Sequence, residues 1–295
     1  MVVLATLFFV SCSKSDEQTA EPSGNNPIES GSPFIKGEVP QEVIDNIKAV
    51  FPGKRLAKID DSKKYKYNGL FLTEVDDGNH YFLKWHANGI DITADFGEDN
   101  AVTRWSCQAL FNKYGKVGSI REEYESTLPG NESLIQTYDN FIFSYGRIYS
   151  YDWTLKYKRE GYEYEGEEYE GGWIEGEEWE DQGQDIFKWD KDGNRIFSNT
   201  STETTEIEYG DVDKAGLTAP FGAVTLELLY RAGVLGKGNN NLIASKKITN
   251  YGRIREDKYS YTFDSDGYPI KCVTVGQGTG QPAQGSSTTY YSYTE

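Results

Sequence analysis

The stretch His80-Tyr-Phe-Leu-Lys-Trp-His-Ala-Asn-Gly-Ile-Asp-Ile-Thr-Ala-Asp-Phe96 shows most directly how this chain folds. Apolar and polar residues alternate on both sides of Asn88-Gly89, a dipeptide that favours a two-residue type I′ turn between antiparallel strands. Such a turn predicts a register in which Trp85 faces Ile92, and both strands then agree on which face is apolar. The stretch therefore predicts a β-hairpin with one buried face.

The composition extends the β prediction to the rest of the chain. The 22 Tyr, 14 Phe and 6 Trp residues favour strands. From residue 107 onward, Gly-containing turn signals recur at irregular spacing beside aromatic or β-branched residues. We therefore predict a mainly β protein in which residues 107–295 form a curved antiparallel sheet, a meander of unequal hairpins. The turn signals begin at Asn112, Ser144, Asp190, Tyr251 and Asp264.

Two segments have helical rather than strand periodicity. From Val43, apolar residues recur one, four, seven and eight positions later, which predicts a helix that begins near Pro40 and ends before Pro52-Gly53. A second helix, capped by Thr218 and ended by Gly233, is expected to pack on the sheet.

The first part of the chain resembles a known small exported domain. Phe51-Pro52-Gly53 follows the first helix, and the strands after it lead to Asp95-Phe-Gly-Glu-Asp-Asn-Ala-Val102. This arrangement resembles the domains related to PepSY and β-lactamase-inhibitor folds. The resemblance implies a small α+β module over residues 37–106, with a binding or inhibitory role rather than an enzymatic one.

Three motifs in the second part are similar to an uncharacterised family of bacterial lipoproteins described as having a porin-like fold. That family implies a curved antiparallel sheet around one helix and has no known activity to transfer. "Porin-like" describes shape only here, because we expect strands shorter than the roughly 10 residues of a lipid-facing barrel. The motifs are Ala219-Pro220-Phe221, Ile243-Ala-Ser-Lys-Lys-Ile248 and Tyr261-Thr-Phe-Asp-Ser-Asp-Gly-Tyr-Pro-Ile-Lys271.

The chain starts with a short apolar run that ends at Cys12. The run is too short for a bilayer span of about 20 residues but fits the apolar region of a signal peptide. We expect residues 1–11 to be a lipoprotein signal peptide and Cys12 to be the lipid-attachment residue. Residues 12–36 are rich in Ser, Glu, Pro, Gly and Asn, which predicts a flexible tether. The alternative is a buried N-terminal strand with an incidental cysteine.

The predicted lipid attachment at Cys12 also predicts where the protein is located in the cell. The acidic pair Asp16-Glu17 resembles the export signal of surface-exposed lipoproteins. We therefore expect a protein that is lipid-anchored in the outer membrane and either surface-exposed or periplasm-facing.

The net charge of −17 limits the partners. Nucleic acids and anionic lipid headgroups repel such a surface, so no nucleic-acid partner is expected and the membrane is contacted through the lipid anchor. Outside the cytosol, Cys107 and Cys272 could form a disulfide or could be two small buried apolar residues. The sequence leaves both alternatives open.

Residues 160–185 are the most unusual segment, with twelve acidic residues and no basic one. Such an insertion is a solvated loop or hairpin tip, or a recognition strip in which aromatic faces stack on sugars or cations. A hydrolase carboxylate pair is the least favoured alternative, because a hydrated cluster offers no apolar pocket to raise a pKa. The candidate ligand-binding residues are Tyr162, Tyr164, Tyr169, Trp173 and Trp179.

No metal, cofactor or catalytic group is predicted. His80 and His86 lie roughly 20 Å apart along one strand, so we interpret His86 as an ordinary cross-strand pair with Asp91. The motifs that begin at Asp190 and Asp264 resemble calcium loops but lack the bidentate Glu at the twelfth position, which favours turns.

Together these patterns predict a non-catalytic cell-envelope lipoprotein that binds a glycan, a peptide or a protein. The alternative is a structural or assembly component of an envelope complex. A glycan hydrolase is the third hypothesis.

Overall fold

The computed structural model describes residues 39–95, 103–126, 130–164, 172–200, 203–278 and 285–294. The predicted lipid-attachment residue Cys12, the signal peptide over residues 1–11 and the tether over residues 12–36 lie outside the described residues. Tyr169 also lies outside them.

The described part of the chain consists mainly of strands. Its helices are α1 (Gln41–Val50) and α2 (Val224–Ala232). The strands are β1 (Leu56–Ile59), β2 (Lys63–Asn68), β3 (Phe71–Asp76), β4 (His80–Trp85), β5 (Gly89–Asp95), β6 (Thr103–Phe111), β7 (Val117–Ser126), β8 (Ser133–Ser144), β9 (Arg147–Arg159), β10 (Tyr162–Tyr164), β11 (Gly172–Ile174), β12 (Glu177–Trp189), β13 (Arg195–Thr200), β14 (Glu203–Val212), β15 (Asn241–Asn250), β16 (Arg253–Phe263), β17 (Pro269–Gly278) and β18 (Gly285–Tyr293).

All of these strands except β10 and β11 form one closed antiparallel barrel. The barrel closes where β1 pairs with β18, with Leu56 opposite Tyr293. The mainly β prediction is confirmed, but the expected open, curved sheet is wrong. Closure pairs the two strands that would otherwise be sheet edges, and this satisfies their backbone N–H and C=O groups. Strands from residues 37–106 belong to the same sheet as the later strands, and the predicted boundary at residue 106 falls within β6.

The expectation of short strands is also wrong. β9 and β12 each have 13 residues, and β8 has 12. Two features hide this length in the sequence. Bulges interrupt the alternation within β8, and the first half of β12 carries acidic residues on both faces. A strand that is longer than its apolar stretch cannot be identified from periodicity alone.

The predicted hairpin is present as β4–β5, with a register shifted by two residues. Trp85 lies opposite Ile90, and the His86 N–H donates to the Gly89 carbonyl, so Gly89 begins β5 and does not lie in the turn. A Cβ at Gly89 would come 2.3 Å from the Ala109 carbonyl oxygen on β6. Glycine is therefore needed here for close strand approach. A two-residue shift keeps every side chain on its face, and Trp85 is buried as expected.

Both helices lie at one end of the barrel, which we call the closed end. The side-chain amide of Asn46 on α1 donates to the Gly115 carbonyl in the β6–β7 turn at 3.0 Å. After α2, the Lys237 N–H donates to the Gly146 carbonyl in the β8–β9 turn at 2.8 Å. Seven of the nine α2 residues are buried, so this helix fills the lumen. Neither α1 nor α2 is long and apolar enough to cross a membrane.

The predicted helix ends are partly confirmed. α1 ends at Val50, before Pro52, as expected. Gly233 ends α2 with φ of 86°, a left-handed conformation that glycine adopts without strain. The predicted Thr218 cap is wrong, because α2 begins at Val224. The residues before it are held differently, by the Asp213 carboxylate, which accepts backbone N–H groups of Leu217 and Thr218.

The two calcium-like motifs are turns, as predicted. The Asp190 Oδ1 atom accepts the backbone N–H groups of Asp192 and Asn194 at 2.9 and 2.8 Å. The Asp264 carboxylate does the same for Asp266 and Tyr268. Each carboxylate is therefore occupied by its own turn.

Cys107 and Cys272 are buried free thiols. The alternative of small buried apolar residues is thus the one observed. Cys107 packs in the apolar core on the β6 side of the barrel.

Exposed ion pairs join neighbouring strands. Lys156 on β9 lies 3.2 Å from Glu180 on β12, and Lys247 on β15 lies 3.6 Å from Glu206 on β14. All four of these side chains are at least 41% exposed. The outward-facing side of these strands is therefore charged.

Candidate functional site

A cavity of about 470 Å³ lies in the lumen. Its wall includes Thr200, Glu203 and Asn250, which flank the β13–β14 and β15–β16 turns. Since antiparallel strands reverse direction at each turn, these turns lie at the end of the barrel opposite to the β8–β9 turn, and we call this the open end because both described helices lie at the other end. The remaining wall comes from β8, β9, β12 to β16 and the segment before α2, namely Gln136, Tyr138, Tyr151, Trp153, Leu155, Asp185, Phe187, Arg195, Ser198, Thr205, Ala219, Pro220, Phe221, Gly222, Ala223, Ile243, Lys246 and Tyr259.

One side of the cavity is aromatic. Strand alternation points every second residue of β9 into the lumen, which places Tyr151, Trp153 and Leu155 in one row. The Tyr151 ring centre lies 5.8 Å from that of Phe187 on the neighbouring strand β12. Phe187 in turn makes an edge contact at 5.7 Å with Phe221, just before α2. These rings present a continuous apolar surface to a ligand.

Two cationic side chains belong to the wall formed by β13 and β15. Arg195 is only 9% exposed, and its Nη1 donates to the Pro220 carbonyl. Its Nε has no hydrogen-bond partner within the described ranges. Burial lowers the pKa of Arg195, but a guanidinium stays protonated in proteins. Lys246 is half-buried, and burial lowers its pKa as well.

Carboxyl groups of the lumen have partners of their own. The Tyr151 hydroxyl donates to Asp185 Oδ2 at 2.6 Å, and burial raises the pKa of Asp185. The Thr205 hydroxyl donates to Glu203 Oε1 at 2.8 Å. Deeper in the barrel, Glu122 accepts the Trp105 indole N–H at 3.0 Å, and burial raises its pKa too. For Asp185 and Glu122 the raised pKa has the same cause, since burial disfavours the charged form of a carboxyl group.

Tyr162 and Trp173, two described residues of the predicted recognition strip, do not share one face. Tyr162 pairs with Ile174 and Trp173 pairs with Glu163, so Tyr162 and Trp173 lie on opposite faces of the β10–β11 hairpin. Trp173 is 65% exposed. The Tyr164 backbone pairs with Gly172 in the same hairpin.

Trp179 lies apart from this hairpin, on β12, where it stacks on Tyr157 with ring centres 5.3 Å apart. The β10–β11 hairpin connects β9 to β12 at the open end of the barrel, where Arg159 pairs with Glu177. Ligand binding by these residues stays a prediction.

The histidines have the simple role expected. His86 Nε2 lies 2.7 Å from Asp91 Oδ2, so the predicted side-chain contact is present, but His86 follows the last residue of β4 and Asp91 lies opposite Lys84. His80 lies 3.2 Å from Glu74. In the part of the chain that the structure describes, no three His, Cys, Asp or Glu side chains lie close enough to share a metal ion.

Sequence reasoning missed the cavity residues. A local signal existed on β9, where Tyr151, Trp153 and Leu155 alternate with polar residues. For Arg195 and Lys246 no local signal existed, because they lie far apart in the chain and reach one cavity only when the barrel closes.

Comparisons with known proteins agree with the barrel. No family model and no curated protein matches the chain. A porin-like protein from Bacteroides uniformis is 14% identical with a TM-score of 0.51, and the match covers 82% of this chain and 95% of that one. A porin-like protein from Bacteroides vulgatus is 13% identical with a TM-score of 0.50, covering 82% and 99% respectively. At these identities the similarity concerns the fold alone, and it confirms the porin-like fold expected from the sequence.

Proposed function

We propose that this protein is a non-catalytic, lipid-anchored binding protein of the bacterial cell envelope, and that a small polar ligand, a glycan or a short peptide, enters its barrel from the open end. The observation that carries the proposal is the lumen cavity, which combines an aromatic wall with cationic and hydroxyl groups. Its volume of about 470 Å³ falls within the range of roughly 300–1,000 Å³ typical of small-molecule sites.

In this proposal the barrel is a container and not a pore. The buried helix α2 fills the closed end of the lumen. Exposed cross-strand ion pairs such as Lys156–Glu180 occupy the outer wall, where a lipid-facing barrel has an apolar band. Membrane attachment would instead come from acylation of Cys12, on either side of the outer membrane.

Blocking the cavity tests the site. Thr200 faces the cavity near the open end, whereas its neighbour Asn199 is exposed. Saccharides and short peptides are first screened for ligands that raise the Tm, since a ligand at 100 times its Kd stabilises by about 2.7 kcal/mol. Thr200→Trp should abolish this shift, and the matched control Asn199→Trp should preserve it. Unchanged binding to Thr200→Trp would place the ligand outside the lumen.

The anchor needs its own test. Mass spectrometry of the native N-terminal peptide should show an acylated Cys12 as the first residue. A bare thiol at Cys12, with residues 1–11 still attached, would overturn the lipoprotein assignment and leave lumen binding unaffected.

A second candidate function, recognition or assembly of envelope proteins, is supported by the exposure of Trp173 on the β10–β11 hairpin. Large exposed aromatic side chains are enriched at binding surfaces. If the hairpin recognises a partner, Trp173→Ala should remove co-purifying envelope proteins while the ligand-induced Tm shift persists. Retention of the same partners by Trp173→Ala would exclude a role for this side chain.

A further inference from the structure

Two cationic side chains of the cavity wall, Arg195 and Lys246, form no contact ion pair with a described carboxylate, although Glu203 lies near enough for its charge to act on both. The Lys246 ammonium group forms no ion pair or hydrogen bond with another described residue, although the charges of Glu203 and Asp257 act on it, whereas the next residue, Lys247, faces outward and pairs with Glu206. Arg195 is nearly fully buried, and its Nε is unpaired within the described part of the chain. A buried charged donor without a hydrogen bond lowers the stability of the folded protein, and a bound anion that accepts this hydrogen bond would remove the cost.

The nearby carboxylates are already engaged. Asp185 accepts the Tyr151 hydroxyl, and Glu203 accepts the Thr205 hydroxyl. On the next strand, Asp257 pairs with the Arg255 guanidinium at 2.9 Å. None of these three carboxylates forms a contact ion pair with Arg195 or Lys246, so the two cationic groups keep N–H donors for an incoming anion.

From this arrangement we propose that the cavity binds an anionic saccharide, whose carboxylate or sulfate group is held by Arg195 and Lys246. The inference rests on the proposed function and names its ligand class. Because Nη1 donates to the Pro220 carbonyl, the remaining N–H groups of the Arg195 guanidinium would donate to the oxyanion, and Lys246 would add a point charge.

The rest of the wall fits a sugar ring. Trp153 and Phe187 line the cavity, and aromatic rings are the surfaces on which the C–H face of a sugar stacks. Ser198, Thr200 and Asn250 supply hydroxyl and amide groups for hydrogen bonds to sugar hydroxyls. A cavity that combines aromatic faces, small polar side chains and a cationic pair suits a sugar acid or sulfated sugar better than an apolar ligand.

Titration calorimetry on the full chain tests this inference. The probes are galacturonic acid oligomers of one to three units, galactose 6-sulfate, neutral galactose oligomers of matched length and triglutamate. We expect at least one anionic sugar to bind at least about tenfold more tightly than its neutral counterpart. Comparison of galacturonate with galactose 6-sulfate then identifies the preferred anion.

Variants locate the anion. Lys246→Gln should weaken binding of the anionic sugar by about tenfold or more, and the matched control Lys247→Gln should leave it unchanged. Arg195→Gln should weaken it as well. Because Arg195 also holds the Pro220 carbonyl, its variant is interpreted only if its circular dichroism spectrum matches that of the parent protein. Lys246→Gln does not depend on this condition.

The outcomes separate the two proposals. Equal binding of neutral and anionic sugars, with Lys246→Gln unaffected, would overturn the anionic ligand but leave lumen binding intact. Binding of triglutamate alone would overturn the saccharide and keep the lumen as a peptide site. If no probe binds and no ligand from the wider screen raises the Tm, both proposals fail.

Discussion

Leu229→Ala tests the central feature of the architecture, the helix inside the barrel. Leu229 lies on α2 and is 0% exposed. The substitution removes three carbon atoms, and at about 0.8 kcal/mol per buried methylene the lost transfer free energy is roughly 2.4 kcal/mol. The residual cavity adds to this, and measured Leu→Ala costs in cores run from about 2.7 to 5 kcal/mol.

We expect a loss of about 3–4 kcal/mol in the free energy of unfolding. The estimate lies above the transfer value because each strand around α2 is hydrogen-bonded to a neighbour on both sides. Such a wall cannot move inward to fill the space that the substitution leaves.

Urea unfolding followed by circular dichroism gives the midpoint and slope for each variant. Val224→Ala is the matched control, because Val224 begins the same helix but is 49% exposed, and it should change stability by no more than about 0.5 kcal/mol. A cost below about 1 kcal/mol for Leu229→Ala, or one equal to that of the control, would refute the placement of α2 in the lumen.

Three further predictions address other parts of the molecule. Gly115 and Gly69 both have positive φ, but a Cβ at Gly115 would come 2.7 Å from the α1 backbone, whereas one at Gly69 meets nothing within 4 Å. Gly115→Ala should therefore lower the Tm clearly more than Gly69→Ala, and equal shifts would contradict the docking of α1 on the β6–β7 turn. Burial raises the pKa of Glu122 above its ordinary 4.5, so this carboxyl binds a proton more tightly in the folded protein than in the unfolded chain. As the pH rises from about 4.5 to the raised pKa, the unfolded chain loses this proton first, and Glu122 therefore lowers the free energy of unfolding increasingly over that range. Glu122→Gln should thus stabilise the protein more at pH 7 than at pH 4 in urea unfolding, unlike the outward Glu123→Gln; the opposite pH trend would refute the reasoning. The two buried thiols should resist iodoacetamide in the native protein and react in urea without reductant, as peptide mapping would show, whereas failure to react in urea would indicate a disulfide.

The candidate site could be predicted only in small part. The alternation of Tyr151 and Trp153 on β9 is visible in the sequence and indicates an inward row. The acidic stretch has the stronger signal in the sequence, because its composition is unusual whereas the cavity residues are scattered along the chain. In the structure its described aromatic residues are divided between two hairpin faces and β12, and the cavity lies inside the barrel.

The local features of this protein follow from short stretches of its sequence. Alternation established the hairpin faces, Gly233 established the end of α2, and the side chains of Asp190 and Asp264 established two turns. These are interactions between residues a few positions apart, so their signals are contained in short windows of sequence.

Contacts between distant parts of the chain are needed to fix barrel closure, the hairpin register, the placement of α2 and the cavity. Closure depends on Leu56 pairing with Tyr293, and the β4–β5 register depends on how closely Gly89 approaches Ala109. Such contacts join distant parts of the chain, and backbone hydrogen bonding is nearly independent of side-chain identity. The sequence around one residue of such a contact therefore does not indicate which distant residue it contacts.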